Sequence, residues 1–305
     1  MNVIMVAEDI NKDGSFKQSK GELLCTVSNL AFIKHYFPTF HTILYVDRFT
    51  KQYYESFGIT ELFDEVNDSL LEQSVDIDKK VFWASGKLLA QRETQAPLLT
   101  LDLDFWIFSD ISKLGIFDSE ISCLWMEELN HDFYADPKDI MKISGLNWKF
   151  DWDNYATNVS FLYIKDNEFK NIYCNMAINF MRTMFNKVEW NPNHHENTKY
   201  ILFAEQYMLN QLVKKYGKDI KVLIDDFYPI DNLKYVKSVG VNLDNCVDYV
   251  YHMGNHKEHY RKNDEFATMG MNKIYDMTNK HIKDERFLNL MNKIYNMSEY
   301  EGNFC

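Results

Sequence analysis

Residues 96–111 read Ala96-Pro97-Leu98-Leu99-Thr100-Leu101-Asp102-Leu103-Asp104-Phe105-Trp106-Ile107-Phe108-Ser109-Asp110-Ile111, a dense apolar run that two aspartates interrupt. A run this short and apolar predicts a strand buried on both faces, and such strands belong to sheets that helices cover. In a regular strand Asp102 and Asp104 would point to the same face at the strand's end. Two carboxylates converging there form half of a site for a hard divalent cation such as Mg2+ or Mn2+. Two turn or capping aspartates are the alternative interpretation.

Strand and helix patterns alternate upstream of this run. Residues 3–6, 42–46 and 63–66 read as strands, and helical patterns lie at residues 23–34 and 78–92. The alternation predicts an α/β fold with a mixed, mostly parallel sheet flanked by helices. Ligands of such sheets bind at the carboxyl ends of the strands. The acidic residues Asp9, Asp47, Asp102 and Asp104 all fall at such ends.

The second half continues the pattern and ends in a charged tail. Strands are predicted at residues 121–126, 159–164 and 248–251, and helices at residues 167–185 and 200–216. The tail after residue 262 is amphipathic and helical, which suits a lid over the core or an oligomer surface. We expect a catalytic domain over residues 1–260 and a helical C-terminal extension over residues 261–305 that packs on it.

Composition excludes several classes of protein. The formal net charge is −12, which argues against nucleic acid as the main partner because that binding needs a surplus of Lys and Arg. No run reaches the roughly 18 apolar residues of a membrane span, and the first residues lack the basic start of a signal peptide. The 5 cysteines are scattered without a Cys-x-x-Cys pair, which favours reduced thiols. We therefore expect a cytoplasmic protein.

Several short motifs follow one another along residues 1–260. They are Leu44-Tyr45-Val46-Asp47, Phe82-Trp83-Ala84-Ser85-Gly86-Lys87-Leu88-Leu89-Ala90, Leu101-Asp102-Leu103-Asp104, Ala156-Thr157-Asn158-Val159-Ser160-Phe161-Leu162, Ala204-Glu205-Gln206-Tyr207-Met208-Leu209-Asn210 and His252-x-Gly254-x-x-Lys257. With these motifs in this order, the chain resembles the nucleotide-sugar glycosyltransferases of the GT-A fold, above all the retaining glycogenin-like and capsular-polysaccharide families. The resemblance implies a metal-dependent transfer from a nucleoside diphosphate sugar, a UDP-sugar, to a carbohydrate or glycoconjugate acceptor.

The resemblance also implies which residues bind the metal and the diphosphate. Asp102 would contact the nucleotide ribose and the metal, and Asp104 and His252 would be direct ligands of Mn2+ or Mg2+. A diphosphate leaving group gains negative charge as the anomeric bond breaks, and a divalent cation stabilises that charge. Lys257 would add a cation to the diphosphate, and Lys87 is a further candidate for the same role.

The remaining implied roles concern the nucleotide and the sugar. Asp47 and the loop at Ala7 would frame the base and ribose, and Asn158 would lie near the donor or acceptor sugar. Glu205 and Gln206 would lie on the reactive side of the sugar. There they would stabilise an oxocarbenium-like state or act as a nucleophile, and both roles stay open.

The chain departs from the family pattern in two places. Relatives space the last motif His-x-x-Gly-x-x-Lys, whereas one residue separates His252 from Gly254, and Glu205 stands where relatives carry Asp. Each candidate also has a plainer interpretation. His252 fits a strand-end histidine, Lys87 a solvated helix lysine, and Glu205 an exposed helix carboxylate.

Two other functions fit parts of the sequence. Phosphatases of the haloacid-dehalogenase type carry Asp-x-Asp after an apolar strand, but they place it early in the chain and follow it with a small hydroxyl or branched residue. Here Phe105 and Trp106 follow instead. A catalytically idle sugar- or nucleotide-binding scaffold of the same fold would lack Asp104 or the cationic C-terminal motif, and both are present. We therefore expect a glycosyltransferase.

Overall fold

The computed structural model describes residues 1–73, 76–129, 134–151, 154–191, 194–223, 250–252, 262 and 265–297. The strands are β1 Asn2–Ala7, β2 His41–Val46, β3 Glu65–Asn67, β4 Leu98–Leu101, β5 Phe105–Ile107, β6 Ile121–Cys123, β7 Met126–Glu128, β8 Tyr155–Thr157, β9 Phe161–Ile164, β10 Ile220–Val222 and β11 Val250–His252. The helices are α1 Lys20–Tyr36, α2 Arg48–Phe57, α3 Ser85–Glu93, α4 Pro137–Ser144, α5 Asn167–Met184, α6 His194–Leu202, α7 Met208–Lys215, α8 Glu265–His281 and α9 Glu285–Tyr295. Within the described residues, no helix is both long and apolar enough to cross a membrane.

The central sheet has 7 strands in the order β10-β6-β9-β4-β1-β2-β3. Strand β9 runs antiparallel to β4 and β6, and the other neighbouring pairs are parallel. Two further two-stranded sheets pair β11 with β5 and β7 with β8. The predicted α/β fold with a mixed, mostly parallel sheet and flanking helices is confirmed.

Apolar residues cover both faces of this sheet. On β1, Val3 and Met5 belong to a cluster that includes α1, α8 and α9, while Ile4 packs in a cluster with Ala90 of α3. A large cluster built from α3, α5 and α7 contacts β6 and β9 on the same side as α3. The alternation along β1 is what a strand buried on both faces requires.

The apolar run over residues 96–111 forms two strands separated by a turn, and the first of them ends before Asp102, close to where the sequence predicts it to end. The Asp102 amide donates to the Ser160 carbonyl at 2.9 Å, and the Phe105 amide then donates to the Asp102 carbonyl at 3.1 Å, which closes the turn. Beyond it β5 leaves the central sheet and pairs with β11. The expectation that Asp102 and Asp104 share one strand face was therefore wrong, because the backbone between them is not extended.

The C-terminal helices α8 and α9 pack on α1. The Ser28 hydroxyl lies 2.6 Å from the Thr278 hydroxyl, and Trp106 Nε1 donates to Ser28 Oγ at 2.8 Å. Helix α8 thereby shares a buried polar contact with α1 and β5, close to the turn that carries the aspartates. The domain boundary after residue 260 stays a prediction.

Candidate active site

Lys87 lies at the centre of the site. Helix α3 places its Nζ 2.6 Å from Asp102 Oδ1 and 2.6 Å from Glu205 Oε1. Lys87 and Glu205 are buried, and Asp102 keeps 28% of its side-chain surface exposed. The plainer interpretations of Lys87 as a solvated lysine and Glu205 as an exposed carboxylate are therefore wrong.

In this cluster of Lys87, Asp102 and Glu205, burial and the neighbouring charges shift the pKa values in opposite directions. Burial opposes the charge on Lys87, but the Asp102 and Glu205 carboxylates outweigh it and raise the Lys87 pKa above its ordinary value. Burial also raises the pKa of Glu205, although the Lys87 ammonium pulls that pKa down. The lysine stays protonated and holds the two carboxylates together.

A π-helical segment, Phe203–Tyr207, positions Glu205 and Gln206 between α6 and α7. The Tyr173 hydroxyl donates to the Glu205 carbonyl at 2.8 Å, and the Thr157 hydroxyl donates to the Gln206 carbonyl at 2.8 Å. Single π-helical turns inside helices occur often at functional sites. The regular helix predicted over residues 200–216 contains this irregular turn.

A network around Glu127 holds the amide side chains of the site. Glu127 Oε1 accepts hydrogen bonds from Trp125 Nε1 and Asn158 Nδ2, both at 2.8 Å. Its Oε2 accepts from the Tyr134 hydroxyl at 2.6 Å, and that hydroxyl also lies 2.5 Å from Gln206 Oε1. One buried carboxylate therefore contacts Asn158 directly and Gln206 through Tyr134.

Sequence reasoning missed Glu127 and Tyr134. The signal for Glu127 was the period of two from Cys123 through Trp125 to Glu127, which in a continuous strand would place all three side chains on one face. The structure divides this stretch into β6 and β7. A carboxylate at an apolar position of a strand indicates a buried polar site. No comparable signal marked Tyr134, since it lies in a loop.

The two halves of the site form a closed path. Asn158 Oδ1 accepts from the Ser160 amide at 3.1 Å, and the Ser160 carbonyl accepts from the Asp102 amide at 2.9 Å. Hydrogen bonds, ion pairs and chain connectivity thus run through Asp102, Ser160, Asn158, Glu127, Tyr134, Gln206, Glu205 and Lys87 and return to Asp102. The structure brings together five of the predicted site residues, which are Lys87, Asp102, Asn158, Glu205 and Gln206.

Asp47 shapes the loop after β1. Its Oδ1 accepts from the Phe49 and Thr50 amides at 2.7 and 2.9 Å, which caps α2. Its Oδ2 accepts from the Thr50 hydroxyl at 2.9 Å and from the Asp9 amide. Asp47 thereby fixes the position of the residues that follow Ala7 relative to the start of α2. Both oxygens are engaged by the chain. The roles of Ala7 and Asp47 toward a base and ribose stay predictions.

A buried ion pair lies beside this loop. Glu8 pairs with Lys79, and the Lys79 ammonium also donates to the Leu71 carbonyl at 2.6 Å. Burial raises the pKa of Glu8, and the neighbouring lysine opposes that shift. An added Cβ at Gly86 would lie 2.9 Å from Glu8 Oε2, so this part of α3 needs a glycine to approach the carboxylate.

The predicted metal ligands differ in how far the structure describes them. Asp102 Oδ2 has no hydrogen-bond or ion-pair partner among the described residues, and Asp104 is buried at the end of the turn. Residue 252 ends β11 with its backbone in register with Phe105, next to Asp104. Carboxylate oxygens are ligands that Mg2+ and Mn2+ prefer, so the side-chain chemistry of Asp102 and Asp104 is compatible with such a cation.

Other predictions on this site stay open. In the described part of the chain, no group of three or more His, Cys, Asp or Glu side chains is placed to hold a metal ion. Lys257 and Gly254 lie outside the described residues. Metal binding, the role of His252 as a metal ligand and the role of Lys257 toward the diphosphate therefore stay predictions.

The structure is similar to several solved glycosyltransferases. The galactosyltransferase LgtC, in complex with donor and acceptor sugar analogs, is 11% identical, with 93% of this chain and 98% of that chain covered and a TM-score of 0.44. Mouse xyloside xylosyltransferase 1 is 10% identical, with 84% and 99% covered and a TM-score of 0.40. The glycosyltransferase GlyE of Streptococcus pneumoniae is 10% identical, with 91% and 64% covered and a TM-score of 0.41. Sequence identities this low do not indicate which substrate this chain binds.

Sequence comparison leads to one family. No curated protein matches the chain. A family profile described as "Family of unknown function (DUF6734)" matches residues 63–284, a range that includes Lys87, Asp102, Glu127 and Glu205. Since this match covers well over half of the 305 residues, the chain belongs to this family of unknown function, DUF6734.

Proposed function

We propose that this protein is a metal-dependent, retaining glycosyltransferase that moves a sugar from a UDP-sugar to a carbohydrate or glycoconjugate acceptor. The observation that carries the proposal is the contact of Lys87 with both Asp102 and Glu205 at the carboxyl edge of the sheet. This edge is where α/β sheets bind their ligands. Asp102 comes from the turn after β4, and Glu205 comes from the π-helical segment. In this proposal the leaving group binds at the Asp102 end of the site, and the sugar binds at the Glu205 end.

The diphosphate would bind at the Asp102 end. A divalent cation held there by Asp102, Asp104 and His252 would act as a Lewis acid on the leaving diphosphate. The buried Lys87 ammonium contacts Asp102 at this end, so it would offset part of the negative charge that gathers on the leaving diphosphate. Lys257 would supply a second cation.

The sugar would bind at the Glu205 end. Glu205 Oε2 and Gln206 Nε2 have no hydrogen-bond or ion-pair partner among the described residues, so each has a polar atom to offer a ligand. Burial raises the pKa of Glu205 above its ordinary value, and the Lys87 ammonium opposes that shift. An ionised carboxylate is what either predicted role requires, stabilisation of an oxocarbenium-like centre or nucleophilic attack.

Thermal unfolding with nucleotides tests this proposal without an acceptor. The purified protein is heated with UDP, GDP or CDP, each with and without Mn2+, because a ligand of the folded state raises the midpoint by mass action. We expect UDP with Mn2+ to raise the midpoint. At a UDP concentration a hundredfold above its Kd, the gain in the free energy of unfolding is about 2.7 kcal/mol. UDP-sugars are then tested for release of UDP.

Asp104→Ala tests the metal assignment in the same assay. We expect this variant to keep its fold, to lose the Mn2+-dependent part of the rise and to lose transfer. Asp118→Ala, which removes an exposed aspartate, is the matched control and should behave as wild type. If no nucleotide shifts the midpoint of the wild-type protein, an idle scaffold or a phosphatase becomes the better explanation.

A further inference from the structure

We propose that Glu127 is a positioning residue, which sets the orientation of the two amides at the sugar end of the site. This inference rests on the proposed function and adds to it the residues that hold the sugar-facing groups. Glu127 is buried in the middle of β7, in the small sheet that β7 forms with β8. Among the described residues, Glu127 forms no hydrogen bond or ion pair with Asp102 or Lys87.

The first amide, that of Asn158, is held at both ends. Glu127 Oε1 accepts from its nitrogen at 2.8 Å, and the Ser160 amide donates to its oxygen at 3.1 Å. An amide bonded at both ends has a single orientation, because turning it over would set donor against donor and acceptor against acceptor. The bond to Glu127 therefore determines which atoms of the Asn158 amide remain available to a ligand.

The second amide, that of Gln206, is reached through Tyr134. The Tyr134 hydroxyl lies 2.6 Å from Glu127 Oε2 and 2.5 Å from Gln206 Oε1. A hydroxyl has one proton to donate, so the bond that Tyr134 makes to one of these groups limits the bond it makes to the other. The hydroxyl thereby couples the Glu127 carboxyl to the orientation of the Gln206 amide.

Glu127 connects to the groups that would bind the nucleotide only through intervening residues. Asp102 and Lys87 belong to the other side of the closed path. Disturbing the Glu127 network should therefore misplace the sugar and leave nucleotide binding intact. Misplacement of a reacting group by about 1 Å can lower a rate by about 100-fold.

Tyr134→Phe is the decisive variant, because it removes the hydroxyl and leaves the bond between Glu127 and Asn158 in place. Release of UDP from UDP-glucose, UDP-galactose and UDP-N-acetylglucosamine gives kcat, and calorimetry with UDP and Mn2+ gives the nucleotide Kd. We expect kcat to fall about tenfold to a hundredfold with the Kd unchanged. Glu127→Gln should lower kcat further, and Glu127→Asp should recover part of the loss.

Tyr45→Phe is the matched control. It removes a buried hydroxyl that lies 2.9 Å from Thr94 Oγ1, at the end of α3 away from the site, and it should leave kcat unchanged. The inference is overturned if Tyr134→Phe keeps the wild-type kcat, or if it loses no more than Tyr45→Phe does. A wild-type protein that binds no nucleotide and releases none from any donor overturns the proposed function itself, and this inference with it.

Discussion

The Lys87 ammonium lies 2.6 Å from Glu205 Oε1, and both side chains are buried. Lys87→Met removes the charge that holds Glu205 and Asp102 together and leaves two carboxylates facing each other. Breaking a buried ion pair costs about 3 to 5 kcal/mol, and we expect about 3 because Asp102 is partly exposed to water. Urea denaturation measures the loss.

A second substitution separates the charge effect from the loss of packing. Lys87→Met combined with Glu205→Gln should be more stable than Lys87→Met alone, because one of the two unpaired charges is gone. Lys51→Met, which removes the lysine of an exposed pair with Asp68, should leave the urea midpoint unchanged. A double variant no more stable than the single one would show that unpaired charge is not the cause.

Stability should depend on pH through Glu8. Burial raises the Glu8 pKa above its ordinary value of 4.5, although Lys79 opposes the shift. The folded protein then binds this proton more tightly than the unfolded chain does. The contribution of Glu8 to the free energy of unfolding is therefore largest below pH 4.5 and falls as pH rises through the raised pKa.

Glu8→Gln tests this dependence, because glutamine does not titrate. The free energy of unfolding of wild type minus that of the variant should fall as pH rises from about 4 and should then level off. Urea denaturation of both proteins across that range gives the difference. A difference that grows with pH would mean that Lys79 outweighs burial at this site.

The central sheet was predictable from the sequence, and so was the position of the aspartates at the carboxyl ends of its strands, because both follow from local patterns of apolar and polar residues. The run from Leu98 to Leu101 is apolar except for Thr100, which is typical of a strand covered on both faces, and the structure places β4 there with every residue buried. Parallel strands bring their carboxyl ends to one edge, so the aspartates that follow the strands were expected together there. The family resemblance placed Lys87 at the same diphosphate as Asp102, and the two side chains are in contact.

What the sequence could not show depends on contacts between distant residues. The turn between Asp102 and Asp104 begins where the pairing of β4 with β9 ends, at the bond from the Asp102 amide to the carbonyl of Ser160, far along the chain. The π-helical turn is held by Tyr173 and Thr157, which bind its carbonyl groups from two other elements. Neither contact leaves a mark in the local pattern of apolar and polar residues.

Gly86→Ala should destabilise the protein although alanine favours helices. The added Cβ would lie 2.9 Å from Glu8 Oε2, 3.1 Å from Leu71 Cδ2 and 3.3 Å from Val6 Cγ1. Glu8 cannot move away freely, since Lys79 holds it in a buried pair. Crowding of this kind costs about 1 to 3 kcal/mol, more than the roughly 0.5 to 1 kcal/mol that alanine gains in a helix.

The same substitution in α8 is the control. Gly270 lies in the interior of that helix and is half-buried, so Gly270→Ala should raise the urea midpoint through helix propensity. Opposite signs at the two glycines would support the close approach of α3 to Glu8. Stabilisation at both would contradict it.

Asp47 should act on nucleotide binding through the shape of the loop after β1. Asp47→Ala removes the cap of α2 and the acceptor of the Asp9 amide, and loss of such a cap costs about 0.5 to 2 kcal/mol. Asp47→Asn can keep the cap, since an amide oxygen still accepts from the Phe49 and Thr50 amides, but it puts an NH2 group where the Asp9 amide donates. We therefore expect the asparagine variant to be the more stable of the two and to bind UDP with Mn2+ as weakly as the alanine variant. If Asp47→Asn binds UDP as wild type does, the bond to the Asp9 amide has no part in shaping the site, because that bond is what the asparagine removes.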